Sequence, residues 1–136
     1  MSMDDNKREA RSFFELSARG DVAGALDLLA DDVSWTVTGT TPFSGTYAGK
    51  QNLVTKLVEP LFSRLKAGIT LAISNMVAEG DFVVVEGKGT AETTDGRAYN
   101  NTYCFVIRVS GGKIRTLAEY MDTALVNSVF GAGSRA

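Results

Sequence analysis

The chain contains no histidine and one cysteine in 136 residues. Without histidine there is no Ser-His-Asp or Cys-His catalysis, no histidine-ligated metal and none of the usual neutral-pH base. With Cys104 alone, no disulfide forms within one chain. Cys104 sits among Tyr103, Phe105, Val106 and Ile107. A lone cysteine in such a run reads as a small buried hydrophobe, and a nucleophile there wants a cation or base beside it. Charge of one sign is also scarce. The net charge is -2, and no Lys/Arg cluster adjoins a series of aromatics, so the electrostatic footprint of a nucleic-acid partner is missing. No apolar run approaches membrane-spanning length, and the first ten residues lack an apolar leader core. The expected location is the cytoplasm. No repeat, linker or low-complexity segment interrupts the chain.

An apolar content of 44% and this length suit one domain over residues 1–136, large enough to bury a core without staples. Ala10, Phe13, Phe14 and Leu16 recur at helical spacing between about Asp4 and Ala18. Asp21 is placed to cap a second helix, Val22 to Ala30. Val33, Trp35 and Val37 alternate with polar residues, so Val33–Thr38 reads as a strand. The stripe Leu53, Val54, Leu57, Val58, Leu61, Phe62 and Leu65 predicts a helix from about Lys50 to Leu65, with Pro60 kinking or dividing it. Strands follow at Ile69–Ala78, Phe82–Thr93, Ala98–Val109 and Lys113–Asp122, joined by turns at Gly80-Asp81, Asp95-Gly96 and Gly111. Asp122 is set to cap a closing helix, Thr123–Phe130, with Gly131 at its end. Segregated helices and antiparallel hairpins make an α+β domain.

The last strand carries the sharpest hint of chemistry. Alternation puts Glu119 on the same face as Leu117 and Met121. A carboxylate on an apolar face needs a partner or titrates for a purpose. Turns centred on Gly111 and on Asp95-Gly96 set Glu119 near Tyr103, Leu117 near Phe105, Phe105 near Glu86 and Tyr103 near Lys88. In that register one face carries Phe82, Val84, Glu86, Lys88, Tyr99, Asn101, Tyr103, Phe105, Leu117, Glu119 and Met121. Such a wall mixes apolar surface with a few polar groups, as ligand pockets do. Bland readings stand beside this one. Glu86 and Lys88 suit a solvated pair on an outer face, Glu119 suits a structural partner of Lys88 or Arg115, and Tyr99, Tyr103 and Trp35 suit packing.

The order of elements, Trp35 after Asp31-Asp32, the segment Phe43-Ser-Gly-Thr-Tyr-Ala-Gly49, the run Tyr99-Asn-Asn-Thr-Tyr103 and the ending Glu119-Tyr-Met-Asp122 resemble the NTF2-like superfamily, in particular its ketosteroid-isomerase-related or SnoaL-like members. The resemblance spans about Asp4 to Gly131. It implies a cone-shaped α+β barrel, a curved mixed sheet wrapped around three helices and open at one end into an apolar pocket. It also implies a homodimer through the outer sheet face. In epoxide-hydrolase-like relatives Glu119 takes the place of the water-activating carboxylate, with Glu86 and Lys88 near the strand that supplies its partners. In SnoaL-like cyclases one carboxylate acid/base in an apolar pocket suffices, and Glu119 again stands there. The expected working residues are therefore Glu119, Lys88 and Tyr103, with Phe14, Trp35, Tyr47, Glu86, Tyr99, Asn101, Phe105, Leu117 and Met121 around the ligand and no metal or cofactor. The expected partner is a small apolar organic molecule. The alternative is a module that binds a ligand or dimerises without catalysis.

Overall fold

The computed structural model describes residues 2–131. Ser2 opens helix α1 (Met3–Ala18) with a capping box, its hydroxyl accepting from the Asp5 N–H while the Asp5 carboxylate accepts from the Ser2 N–H. The buried stripe Asn6, Ala10, Phe13 and Phe14 turns one side of α1 to the sheet. Asp21 caps α2 as expected, but α2 spans only Val22–Asp27, three residues short of the expected end. The chain leaves the helix early because Leu29 already pairs with Ile114, so strand β1 runs Leu29–Val37.

A short strand unforeseen in the sequence, β2 (Gly45–Ala48), folds back on β1. The helical stretch that follows has three parts: α3 (Lys50–Leu53), a π-helical turn (Val54–Val58) and α4 (Glu59–Phe62). Pro60 explains the division. It has no N–H to give, and the ladder widens just before it, so that the Glu59 N–H reaches back to the Val54 carbonyl. Strands β3 (Thr70–Glu79), β4 (Phe82–Thr90), β5 (Thr102–Ser110) and β6 (Lys113–Met121) come next. Helix α5 (Thr123–Phe130) closes the described chain with Asp122 at its N-cap and Gly131 at a positive φ of 92°.

The six strands form one mixed sheet in the order β2-β1-β6-β5-β4-β3. Only β1 and β6 run parallel. Register shifts at Leu29/Ser34, Ile73/Asn75 and Arg108/Val109 mark bulges, which bend strands and deepen the curl of a sheet. The resulting α+β cone has α1 packed against β3, β4, β5 and β6. Alternate residues of β4 and β5 fill the core beneath it, among them Val83, Val85, Ile107 and Val109. A second cluster joins α5 to the loop between β4 and β5 through Tyr99, Ala91, Val126, Val129 and Phe130.

Two turns set which residues face inward. Gly111 and Gly112 both take positive φ, 61° and 75°, and make a two-residue hairpin turn between Ser110 and Lys113. The bulge at Arg108/Val109 adds a further residue. Phe105 thus lies opposite Glu119 and Tyr103 opposite Met121, two residues away from the expected register but on the same face. The other turn is a three-residue loop: Gly96 N–H bonds Thr93 O, Thr93 N–H bonds Arg97 O, and Gly96 has φ 91°. Its odd length moves β4 by one residue. Glu86 lies opposite Cys104 and Lys88 opposite Thr102.

Candidate functional site

That one-residue shift corrects the expected wall. Val83, Val85, Gly87 and Gly89 face the interior of the cone, while Phe82, Glu86 and Lys88 are exposed on the convex side. Lys88 therefore does not reach Glu119, and Glu86 is no part of the same site. Glu86 instead accepts from the Asn75 amide at 3.1 Å. Arg115 is no partner for Glu119 either; it donates to the Ser110 carbonyl and approaches Asp32.

Between the helices and the concave sheet lies a cavity of about 160 Å³. Glu119 lines it, and among the described residues no Lys, Arg or Asp does. The parallel pairing of β1 and β6 sets Val37 beside Glu119 and Trp35 beside Leu117. From there the Trp35 indole N–H donates to Glu119 Oε1 at 3.0 Å. Burial pushes the Glu119 carboxyl up to about 7, with the Trp35 bond pulling it down. The carboxylate keeps some accessible surface although protein encloses it. The cavity gives the group room for water but too little space to solvate it as bulk water does.

Two phenols share the cavity. Tyr103 on β5 is buried, and burial raises its pKa, with Tyr99 and Glu119 adding to the rise. Burial raises the pKa of Tyr99 too, opposed by hydrogen bonds from Tyr103 and Asn101. Tyr99 oxygen accepts from the Asn101 amide, and the Tyr103 phenol acts on it from the same cavity. Asn101 is 1% exposed and does not line the cavity. Its amide donates to Tyr99 Oη at 3.2 Å and to Asp122 O at 3.1 Å, and its carbonyl accepts from the N–H groups of Thr102 and Asp122. It holds Tyr99 and ties the start of β5 to the cap of α5.

Phe14, Trp35, Tyr99, Tyr103, Phe105, Glu119 and Met121 are brought together around the cavity. Leu117 is buried in the core behind it, and Tyr47 turns its hydroxyl to Phe43 O at 2.7 Å. Phe43 is a lining residue that sequence reasoning left in a loop; the Thr41–Ser44 turn, held by their hydroxyls at 2.8 Å, aims it inward. Leu53, Leu57, Val58, Leu61 and Phe62 also line the cavity. Their helical stripe was visible in the sequence, but it names a core face without saying that the core is hollow. Cys104 is half-buried on the convex face, where burial, and then Glu86, raises its thiol pKa. Among the described residues no group of three or more acidic or cysteine side chains converges as a metal site requires.

Residues 10–117 match the model of the SnoaL-like domain. The chain belongs to the SnoaL-like family. An uncharacterised protein of Mycobacterium tuberculosis is 26% identical over 119 residues, 87% of this chain and 90% of its own. Among solved structures, an NTF2-like protein of unknown function from Burkholderia pseudomallei superposes with a TM-score of 0.85 at 25% identity, covering 97% of this SnoaL-like chain and all (100%) of that one. An LEH-like epoxide hydrolase of M. tuberculosis superposes with a TM-score of 0.77 at 19% identity, covering 93% and 89%, a likeness of fold. No helix among the described residues is long and apolar enough to cross a membrane.

Proposed function

We propose that the cavity binds a small, largely apolar organic molecule and that Glu119 acts on it as a general acid or base, without metal or cofactor. One observation carries this reading: a carboxylate inside an apolar cavity, paired with no cation among the described residues, holding its proton up to about pH 7. At such a pKa both protonation states are populated near neutrality, where proton transfer in either direction is most effective. A positioned group of this kind contributes about 10²–10⁴-fold to rate. The Tyr99 and Tyr103 hydroxyls, both on the cavity wall, would bond a carbonyl or hydroxyl of the bound molecule. Isomerisation, cyclisation and epoxide opening all need this pair of functions, and the fold likeness to an epoxide hydrolase supports the last. A non-catalytic module would want Glu119 neutralised, and Lys88 and Arg115, the two cations the sequence offered it, are engaged elsewhere or face away.

Turnover of a panel of small epoxides and enolisable ketones tests the reading. Glu119→Gln is expected to lower any turnover by at least about 10²-fold while leaving the fold intact. A Gln variant with undiminished turnover, or a Glu119 carboxyl that titrates by NMR near its ordinary 4.5, defeats it. The convex face supports a homodimer as well, because Val77, Phe82 and Tyr120 are exposed there. Sedimentation of Tyr120→Glu checks that assembly: a dimer should shift to monomer.

A further inference from the structure

We propose that the cavity takes its ligand as an ammonium: a small amine whose cationic head rests on Glu119 and whose apolar body fills the space beyond. This rests on the reading of the cavity as the binding site and names the chemistry that it selects.

Three observations converge. Glu119 has one oxygen to spare. Trp35 occupies Oε1, whereas Oε2 has no hydrogen-bond partner among the described residues and is not sealed off. Among the described residues nothing positive lines the cavity to compensate that oxygen. The walls around it are aromatic and continuous. Trp35 lies 5.8 Å from Phe13, Phe13 lies 5.2 Å from Phe14, Phe14 lies 4.8 Å from Phe105, and Phe105 lies 5.4 Å from Tyr103, centroid to centroid. Phe105 is the register partner of Glu119, and Trp35 is its hydrogen-bond donor, so the carboxylate emerges in the middle of this arc.

Ring faces attract cations, and they do so most strongly where water is excluded. A carboxylate within such an arc adds a full counter-charge. An anionic ligand meets repulsion from both and finds no cation. A neutral alcohol satisfies one hydrogen bond but leaves the charge uncompensated, which is the costly part of burying it. An ammonium removes that cost. A volume of about 160 Å³ suits a body near the size of benzene, which fills an apolar cavity of roughly 150 Å³.

Calorimetry with three ligands of one ring and different heads separates the cases: benzylamine, benzyl alcohol and benzoate, on the full chain at about pH 8, where a carboxyl of this kind is ionised. Benzylamine should bind about tenfold tighter than benzyl alcohol, and benzoate weakest. Glu119→Gln should bring the amine down to the level of the alcohol measured in the same variant. The wild-type pH dependence gives a second measurement that needs no variant. The titratable groups that feel Glu119 are Tyr47, Tyr99 and Tyr103, all of them raised, and among the described residues the helices contribute none to the cavity lining. Amine affinity should therefore rise about tenfold between pH 6 and 8 as the carboxylate ionises, with alcohol affinity flat. Equal binding of amine and alcohol, tightest binding of benzoate, or an amine preference that survives in Glu119→Gln overturns the ammonium assignment. Alcohol binding alone leaves the apolar pocket standing; if none of the three binds, both readings fall.

Discussion

Two glutamates on one sheet, Glu119 on the concave face and Glu86 on the convex, meet opposite surroundings. Each accepts one bond from a side-chain N–H, Glu119 from Trp35 and Glu86 from Asn75. Glu86 is exposed and keeps its water; Glu119 has exchanged water for aromatic walls. The candidate site is thus made less by assembling polar groups than by taking solvent and cations away from one of them. The largest expected effect follows from that difference. In the unfolded chain Glu119 returns to about 4.5, and in the fold it sits at about 7. The folded state holds the proton more tightly, so stability is full below pH 4.5 and is lost as pH rises to 7. The loss is about 3 kcal/mol at 1.36 kcal/mol per unit. Urea unfolding of wild type against Glu119→Gln from pH 4 to 8 measures it. The Gln variant should not show this decline, and an equally steep one in both proteins would place the titrating group elsewhere.

The next effect concerns the support of the concave face. Asn101 makes all four bonds its amide allows, two donated and two accepted. Asn101→Ala leaves the buried Tyr99 hydroxyl and the part-buried backbone N–H groups of Thr102 and Asp122 short of partners. The expected cost is about 2–3 kcal/mol, read as a lower unfolding midpoint. Tyr99 should also loosen, seen as line broadening of its ring resonances. An unchanged midpoint would mean that water replaces the amide.

How far the sequence reached depends on parity. The helix caps at Asp21 and Asp122, the inward alternation of β5 and β6, and the α+β class were legible because each rests on local patterns, whereas the cone came from the family resemblance. In the β5–β6 hairpin the two-residue Gly111-Gly112 turn and the bulge each displaced the register by one. The two displacements left Glu119 on the expected face. In the β4–β5 hairpin the three-residue loop displaced it once, and Glu86 and Lys88 went outside. Asp-Gly is the usual mark of a two-residue turn, so the extra residue left no louder signal. One signal did exist: Gly87 and Gly89 alternate on β4, and a strand glycine often marks close approach of another group. The parallel contact that delivers the Trp35 indole to Glu119 joins strands 84 residues apart in sequence for that hydrogen bond, and no local pattern announces it.

Gly89 shows what that approach is. A Cβ built on it would lie 2.7 Å from Tyr103 Cε2 and 3.0 Å from Ile69 Cγ2. The glycine is the space in which the Tyr103 ring rests. Gly89→Ala should therefore cost about 1–3 kcal/mol from overpacking and push the phenol toward the cavity. Thermal melts give the first effect, and weaker binding of a ring-sized ligand gives the second. If the midpoint holds while binding is lost, the ring has swung freely and the packing there is loose.

The smallest expected effect lies on the other side of the sheet. Lys88 is exposed and registers with Thr102, turned away from Glu119 by one residue of pairing. Lys88→Ala should change stability by less than about 0.5 kcal/mol, and it should leave the titration of Glu119 where it was. A cation within reach of Glu119 would hold that carboxyl down, so its removal would raise the pKa. The NMR titration of Glu119 in Lys88→Ala is therefore a direct reading of sheet parity: an unmoved curve keeps the two faces separate, and an upward shift puts Lys88 back inside the cone.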